Sequence, residues 1–378
     1  MKREIRFLLI LVSVITILVA CTTLENQEDI PNQTAGSVQS ESTLPESFLE
    51  LSMDFESFYS VTLTDLISGE ELASFEVEEG NLIHGIFHFD DSYFALLVGY
   101  GTFTSGVFET PENEMLRYLI FDEGLNVIEE IFIADEYLQN SFRHFRTHVF
   151  FENNELIVYY VVDWMQAYWS GEPQSLRRYN AHTGETKVLF EVEDENLSIN
   201  QFWRVNDHIF AFTGSYLDDE INLYYGWIDL TANEMIVFSE PFNLGKVTTA
   251  GAYVLLAEGI DSPNARLGIF EVTRGEVIVL NVETGDQRFI PLDGLESNLA
   301  QISFDGRHIV TFDEYNLMLK KYDINSGELV LEQAISIEGD VLETIIPLTS
   351  NSYLIISGNR DSDGTFYREI LTTPEVIE

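Results

Sequence analysis

A turn motif that recurs six times constrains the fold of this chain more than any other feature of its sequence. Each copy begins with Asp or Asn, passes through Gly or Asn, and leads into a new apolar run; the copies are Asp65–Glu70, Asp122–Asn126, Asn180–Glu185, Asp229–Glu234, Asn281–Asp286 and Asp323–Glu328. Asp and Asn side chains bond nearby backbone at the start of a turn, and Gly or Asn accepts the positive φ near its end. Each copy therefore predicts a β-hairpin.

A second set of hairpin turns alternates with the first. These turns fall at Phe89–Tyr93, Phe151–Glu155, Val205–His208, Ala250–Ala252, Phe304–Arg307 and Leu348–Asn351. Successive turns of the first kind start 42 to 58 residues apart. Two hairpins give four strands in each repeat, and four-stranded units at this period are typical of β-propellers. No stretch has a convincing helical period, so we predict an all-β fold.

The repeats also resemble a known class of propellers. The Asp/Asn-x-x-Thr/Ser-Gly-Glu/Asp turns, as in Asn180–Glu185 and Asp323–Glu328, resemble the repeats of WD40-like and quinoprotein-like (PQQ-repeat-like) propellers over about residues 50–372. The Trp that often closes a quinoprotein repeat is absent after these turns, and no Trp-Asp pair follows a strand. The resemblance implies a fold that hosts many functions, and nothing in it supports a bound quinone.

The ends of the chain bear on the number of blades. The first repeat opens with the Asp65 hairpin, and the last ends with the Leu348–Asn351 hairpin and a strand near Phe366–Leu371. Pairing these ends would complete one blade and remove exposed strand edges, which predicts six blades. Seven blades would result if residues 48–58 supply extra strands. A pair of β-sandwiches is the alternative architecture.

The N-terminal sequence predicts that the protein is located in the cell envelope. A basic start, Met1–Arg6, is followed by the apolar run Phe7–Ala20, which is shorter than the roughly 20 residues that span a bilayer. The run ends in Leu-Val-Ala-Cys21, which resembles the lipobox of bacterial lipoproteins. That resemblance implies cleavage before Cys21 and attachment of acyl chains such as palmitate to it. A plain secretory peptide or an uncleaved anchor remains the alternative.

The predicted domain boundaries follow from this reading. Residues 1–20 form the signal peptide, residues 21–47 the lipidated Cys and a flexible tether, and residues 48–378 the β-propeller. The tether is rich in Thr, Ser, Gln, Asn and Glu and shows no hydrophobic period. We expect a monomer that is lipid-anchored to the cell membrane on its extracytoplasmic side.

Charge and cysteine content exclude whole classes of function. The chain has 64 acidic and 19 basic residues among 378, a formal net charge of −45. Such a chain repels polyphosphate, which argues against nucleic-acid partners. The single cysteine allows neither an intramolecular disulfide nor a Cys-rich zinc site.

Two loops are the candidates for partner binding. The segment 163–171 carries Trp164, Tyr168 and Trp169, and clustered aromatic side chains on a loop can anchor a protein or stack on sugar rings. Packing against the core of its own blade is the alternative for these aromatics. A basic cluster of Arg143, His144 and Arg146 precedes an inner strand and could receive a carboxylate or phosphate. Its alternative role is to neutralise neighbouring acids.

One segment of the sequence partly matches a cofactor site, in this case a calcium loop. Asn359, Asp361 and Asp363, followed by Gly364, resemble the start of a calcium loop. The Glu that an EF-hand needs at its twelfth position is Ile370 here, so no cofactor is the main prediction and calcium the alternative. The pairs His84/His88 and His144/His148 would lie about 13 Å apart on a strand, too far to share one metal.

The chain shows no recognisable catalytic motif. We therefore predict a membrane-anchored extracytoplasmic lipoprotein whose β-propeller binds or scaffolds a protein or glycan partner without catalysis. One alternative is a metal-dependent propeller hydrolase or lyase that acts on an extracellular substrate. Another is an envelope-assembly propeller lipoprotein.

Overall fold

The structure of this protein is a computed structural model that describes most of the chain after residue 48. The described residues are 49–53, 58–90, 93–100, 102–104, 107–109, 116–140, 147–162, 167, 171–216, 219–238, 244–250, 252–258, 276–292, 300–303, 305–313, 316–338, 341–358 and 366–374. They divide into two compact units whose boundary in the sequence lies between Gln201 and Phe202. Each unit is described separately below.

The first unit contains three antiparallel sheets and a small hairpin. The first sheet has the order β1 (Leu49–Met53), β2 (Ser60–Asp65) and β3 (Glu70–Glu76). The second has the order β4 (Asn81–Asp90), β5 (Tyr93–Tyr100), β8 (Arg117–Asp122) and β9 (Val127–Phe132), with the hairpin β6 (Thr102–Thr104) and β7 (Val107–Glu109) between β5 and β8. The third has the order β10 (Thr147–Glu152), β11 (Glu155–Val161), β12 (Ser175–Asn180) and β13 (Glu185–Glu191).

The boundary between the units falls within β14 (Leu197–Arg204), which opens the fourth sheet with β15 (Ile209–Tyr216), β16 (Asp219–Asp229) and β17 (Glu234–Val237). The fifth sheet comprises β18 (Leu244–Ala250), β19 (Tyr253–Glu258), β20 (Glu276–Asn281) and β21 (Asp286–Pro291). The sixth comprises β22 (Gln301–Ile302), β23 (His308–Asp313), β24 (Met318–Asp323) and β25 (Leu329–Ala334). The last comprises β26 (Val341–Thr349), β27 (Ser352–Gly358) and β28 (Phe366–Thr372).

The fold is all-β, with seven blades of the β-propeller type. The prediction of six blades was therefore wrong, and the open alternative of seven is confirmed. The reason is β1, which pairs with β2 from Leu49↔Asp65 to Met53↔Val61 and gives the first blade three strands of its own. The C-terminal strands β26–β28 form a separate three-stranded sheet instead of sharing a blade with β2 and β3.

All six turns of the first kind join the last two strands of a blade, as the motif predicts. In each turn the leading Asp or Asn side chain accepts a backbone N–H two residues ahead, as in Asp65 with Ile67 at 3.0 Å and Asn180 with His182 at 3.0 Å. Positive φ is found at Gly69, Leu125, Gly184, Asn233, Gly285 and Gly327. In the second turn the residue with positive φ is Leu125 instead of the neighbouring Gly124 or Asn126.

The cores lie between successive blades. In the first unit, one cluster joins the first two blades around Val61, Leu63 and Phe94, and another joins the second and third around Ile120, Leu156 and Val158. Further clusters join successive blades of the second unit. In the second blade, four of the six residues of the third strand, β8, are buried, whereas five of the six residues of the fourth strand, β9, are exposed. This gradient from inside to outside is what stacked blades require.

The sequence reading missed two small elements. A five-residue helix, α1 (Glu136–Asn140), lies between β9 and β10 and is too short to give a helical period. The hairpin β6–β7 lies within the long loop after β5. Both histidines of the pair His84/His88 lie on β4, as expected for strand residues. In the described part of the chain, no helix is long and apolar enough to cross a membrane.

Candidate binding surface at the third blade

The third blade, β10–β13, has two ends of different construction. At one end β10 begins and β11 ends, since Thr147 pairs with Tyr160, and β12 begins where Val161 pairs with Leu176. The segments 133–146 and 162–174 both meet the sheet there, and we call it the loop end. At the opposite end, the turns Glu152–Glu155 and Asn180–Glu185 connect the strands, and we call it the turn end.

Asp135 organises the first segment of the loop end. Its Oδ1 accepts the backbone N–H groups of Tyr137 at 2.9 Å and Leu138 at 3.1 Å, so it caps the N-terminus of α1. Its Oδ2 accepts the hydroxyl of Tyr160 on β11 at 2.8 Å and that of Thr186 on β13 at 2.5 Å. One carboxylate therefore ties the short helix to two strands of the third blade.

Arg177 organises the second segment. It lies on β12 opposite Tyr160, and its side chain is only 11% exposed. The guanidinium donates to Glu172 Oε2 at 2.7 Å and to Ser175 Oγ at 2.9 Å, and it also bonds the side chain of Tyr160. These partners hold Glu172, which directly follows the Trp-bearing segment, against β12.

Tyr137 of α1 closes the contacts between the two segments. Its hydroxyl donates to Glu172 Oε2 at 2.6 Å, and its ring lies under the guanidinium of Arg177, 4.4 Å from ring centroid to Cζ. We call the set Asp135, Tyr137, Tyr160, Glu172 and Arg177 the loop-end network. In the order Asp135, Tyr137, Glu172, Arg177 and Tyr160, each member contacts the next, and Tyr160 donates to Asp135, so the network forms a closed ring.

Contacts within the loop-end network shift the pKa values of Glu172, Arg177 and Tyr160. Hydrogen bonds from Tyr137 and Arg177 lower the pKa of Glu172. Burial would lower the pKa of Arg177, but Glu172, Tyr160 and Tyr137 outweigh it, and the pKa lies above its ordinary value. Burial and the charge of Asp135 raise the pKa of Tyr160. At neutral pH the network therefore holds a carboxylate, a guanidinium cation and a neutral phenol, an arrangement suited to fixing geometry rather than to transferring protons.

The middle of the Trp-bearing segment is anchored in the blade. Ala167 is 7% exposed and belongs to the core cluster between the second and third blades. The backbone N–H of Gly171 donates to the Ala167 carbonyl at 2.9 Å, and Gly171 adopts a φ of 73°. The segment is thus attached to the sheet at two described points, through Ala167 and through Glu172.

A Ser/His/Asp set in the sixth blade has the composition of a hydrolase site without its geometry. The Ser303 hydroxyl lies 2.6 Å from Asp305 Oδ1 and accepts the backbone N–H of His308 at 3.0 Å. The Asp305 carboxylate lies 3.8 Å from His308 Nδ1. The hydroxyl is thus engaged in the turn that joins β22 to β23, where a nucleophile would instead be paired with the imidazole.

The comparisons with known proteins concern the fold. No protein-family profile and no curated protein matches the sequence. Hydrazine synthase of Kuenenia stuttgartiensis is similar with a TM-score of 0.48 at 14% identity, over 89% of this chain and 99% of that one. The WD40 domain of Neurospora crassa Pan2 gives 0.46 at 9% identity, over 83% and 86%. Oligogalacturonate lyase of Vibrio parahaemolyticus gives 0.42 at 11% identity, over 67% and 68%. The blade assignment itself rests on the strand pairing.

The residues that the sequence singled out fall outside the described residues. They are Cys21, the basic residues Arg143, His144 and Arg146, the aromatic residues Trp164, Tyr168 and Trp169, and the calcium candidates Asn359, Asp361 and Asp363. Within the described part of the chain, no group of three or more His, Cys, Asp or Glu side chains is arranged to hold a metal ion. The structure does place the flanks of the basic and aromatic segments together, at the loop end of the third blade.

Sequence reasoning missed the loop-end network itself. Its five members are ordinary residue types with no recurring spacing, and they come from three separate segments of the chain. One signal was present, since Asp135 stands two residues before Tyr137 in a position typical of a helix cap. The pairing of Arg177 with Glu172 had no comparable signal.

Proposed function

We propose that this protein is a lipoprotein anchored through Cys21 on the extracytoplasmic face of the cell membrane, whose propeller binds a protein or glycan partner. The binding surface is the loop end of the third blade. Its contact residues are Trp164, Tyr168 and Trp169 on one segment and Arg143, His144 and Arg146 on the other. No catalytic step is part of this proposal.

The observation that carries the proposal is the register of β10 with β11. Because Thr147 pairs with Tyr160, the chain leaves the basic segment and enters the aromatic segment at one end of one sheet. The two segments are separated in the sequence, yet their described flanks are joined by the hydrogen bonds of Glu172 with Tyr137 and Arg177. Binding residues of rigid scaffolds are commonly placed on such loops.

The chemistry of the two segments is complementary. Aromatic side chains supply large contact areas and stack on sugar rings or protein side chains. Cationic side chains are scarce in a chain with 19 Lys and Arg residues, and a cluster of them favours a partner that presents carboxylate or phosphate groups. A partner that offers a flat or apolar face beside an anionic group would use both segments at once.

The test is capture of the partner by the full-length protein, processed in bacterial cells and crosslinked on their surface, together with binding to a panel of acidic and neutral glycans. The two informative variants are Trp164→Ala/Trp169→Ala and Arg143→Ala/Arg146→Ala. The matched controls are Phe289→Ala and Arg307→Ala, which remove an exposed aromatic residue and an exposed arginine of other blades.

We expect one dominant partner that the wild type and both controls retain and that each loop variant loses. Undiminished capture by both loop variants would overturn the assignment of the surface. The absence of any protein or glycan partner would overturn the binding function and move the search to metal analysis and hydrolytic activity.

The anchor is tested separately. Cells that express the full chain are labelled with palmitate, and the mass of the N-terminal peptide is measured for the wild type and for Cys21→Ser. We expect an acylated peptide that begins at Cys21 in the wild type, and an unlabelled chain that leaves the membrane fraction in the variant. An unmodified wild-type peptide would overturn the lipoprotein assignment.

A further inference from the structure

We propose that Glu172 and Arg177 are positioning residues that couple α1 to residues 171–174, so that the described flanks of the basic and aromatic segments are held in a fixed relation to each other. This inference rests on the proposed function for its biological meaning. Its structural content, the coupling of α1 to the end of the Trp-bearing segment, is independent of any partner and can be measured without one.

The first step of the argument is that Glu172 bridges two segments through one atom. Its Oε2 accepts both the Tyr137 hydroxyl at 2.6 Å and the Arg177 guanidinium at 2.7 Å. Charge-assisted bonds of this length are stronger than neutral ones. Tyr137 belongs to α1, whose last residue immediately precedes the basic segment, and Glu172 directly follows Gly171 at the end of the aromatic segment.

The second step is that these bonds do little for the core. The Glu172 side chain is 51% exposed, so its contacts bury little apolar surface. An exposed carboxylate that merely sits at the surface would be free to move, whereas this one is held by two donors from different parts of the chain. Its main effect is therefore on the relative position of the segments and not on global stability.

The third step is that Arg177 is fixed independently of Glu172. Its guanidinium also bonds Ser175 and Tyr160, and Tyr160 in turn donates to Asp135, the cap of α1. Because Arg177 is held in this way, it fixes the position of Glu172, and Glu172 in turn holds Tyr137 of α1. A surface that is ordered before a partner arrives pays less conformational entropy on binding.

The same blade offers a matched control. At the other end of the third blade, Glu152 also lies near a tyrosine hydroxyl and an arginine, with Tyr159 and Arg178 both at 3.4 Å. Both ends of the blade thus have a glutamate that lies near one tyrosine and one arginine. Glu152, however, lies on β10 itself and links neighbouring strands of one sheet, with no separate segment to position.

The experiment is hydrogen exchange of the mature wild-type chain and of Glu172→Ala, Glu172→Gln, Tyr137→Phe and Glu152→Ala, read at the backbone amides of α1 and of residues 171–174. We expect Glu172→Ala to speed exchange in α1 about fivefold, the factor that corresponds to the loss of one hydrogen bond. Glu172→Gln keeps an acceptor oxygen, so its exchange rate in α1 should lie between those of the wild type and Glu172→Ala. Trypsin cleavage after Arg143 and Arg146 is the second readout, and it should accelerate in the same order.

A positioning role requires a pattern that a structural role would not give. Tyr137→Phe should speed exchange at residues 171–174. The double variant Tyr137→Phe/Glu172→Ala should exchange little faster than either single variant. The melting temperature should stay near that of Glu152→Ala. Two outcomes would overturn the coupling. One is a change in exchange that Glu172→Ala causes only at residues 171–174 and not in α1, and the other is an equally large change in α1 in the control variant Glu152→Ala.

The partner experiment separates this inference from the proposed function. With a partner in hand, Glu172→Ala should weaken its binding by about threefold to tenfold while leaving every contact residue in place. Binding that is equal to the wild type would overturn preorganisation but leave the proposed function intact. If no partner exists, the exchange pattern still decides the coupling.

Discussion

The two ends of the third blade reach order by different means. At the turn end, the side chain of Asn180 accepts the N–H groups of residues only two and three positions ahead, at 3.0 and 3.1 Å. At the loop end, Asp135 bonds Tyr160 and Thr186, which lie 25 and 51 residues away. The shape of this turn is therefore specified locally, although Asn180 also donates to Glu155 at 2.8 Å and His182 Nδ1 accepts the N–H of Leu156 at 2.9 Å, which join it to the neighbouring turn of the same sheet. The loop end differs because its bonds join a short helix and a loop flank to the strands.

This difference teaches where such a blade can vary. A turn whose hydrogen bonds are internal folds in the same way in each repeat, as the six copies of the motif do. An end held by long-range side-chain bonds depends on its anchors, here Asp135, Glu172 and Arg177, and not on a local turn motif. In the third blade, the described flanks of the basic and aromatic segments lie at the second kind of end.

The largest effect on the free energy of unfolding is expected from Arg177→Met, which removes a residue that the loop end needs and the turn end does not. The substitution keeps the apolar stem but removes the donor that Glu172 and Tyr160 share. Because the Arg177 side chain is only 11% exposed and loses its hydrogen bonds with Ser175, Tyr160 and Glu172, and one such bond is worth about 1 kcal/mol, we expect a loss of about 2–3 kcal/mol. Urea unfolding of the full chain measures this loss in the free energy of unfolding.

The control for this prediction is Arg178→Met on the same strand. The Arg178 side chain is 33% exposed and lies 3.4 Å from Glu152, so its loss should cost less than about 1 kcal/mol. Equal losses in the two variants would contradict the special role of Arg177.

The next effect is expected from Asp135→Ala. The variant loses the cap of α1 and the acceptor of the Tyr160 hydroxyl, each worth about 1 kcal/mol, so the free energy of unfolding should fall by about 2 kcal/mol. Asp194→Ala is the control, because Asp194 caps a turn through one bond to the N–H of Asn196 at 3.0 Å. Its loss should be about half as large or less. A loss for Asp135→Ala no greater than the control would mean that the helix and the strands are not joined through this carboxylate.

A smaller effect is expected from two glycines that match in every respect except their end of the blade. Gly171 at the loop end has a φ of 73° and Gly184 at the turn end has a φ of 72°, and a Cβ at either position would meet nothing within 4 Å. Alanine at each should therefore cost only the backbone strain of positive φ, about 1 kcal/mol. Chemical denaturation compares them directly. A clearly smaller loss at Gly171 would show that the loop end relaxes where the turn end does not.

The sequence predicts the hairpin turns of the turn end, because the bonds that shape each turn are short in sequence. The six Asp or Asn residues that open the turns identified each hairpin, and the spacing gave four strands per repeat. The count of blades failed on one short strand, Leu49–Met53, whose pairing with β2 no turn motif precedes. The positive φ of Leu125 also escaped the pattern, since the bonds of Asp122 to the Gly124 and Asn126 amides dictate it.

The loop end could not be predicted for the converse reason. The chain offers many acids that Arg177 could pair with, and only the assembled sheet brings Glu172 within 2.7 Å of it. The residues that the sequence did single out nearby, the aromatic and basic ones, were chosen by residue type alone. What the fold adds is that their flanks belong to one end of one blade.

The smallest effect is a pH dependence of the stability that Glu172 contributes at the loop end. Hydrogen bonds from Tyr137 and Arg177 lower the pKa of Glu172 below its ordinary value of 4.5. A carboxyl group whose pKa is lowered by folding stabilises the folded state fully above its unfolded pKa, and this contribution is lost as the pH falls through the folded pKa. The stability difference between the wild type and Glu172→Ala should therefore be constant above about pH 5 and shrink below pH 4.5. Unfolding curves of both proteins across this range measure the difference, in which the titration of all other carboxyl groups cancels. A difference that grew on acidification would mean that the folded protein prefers the protonated form of Glu172, and the ionic bridge between the two segments would then be the wrong description.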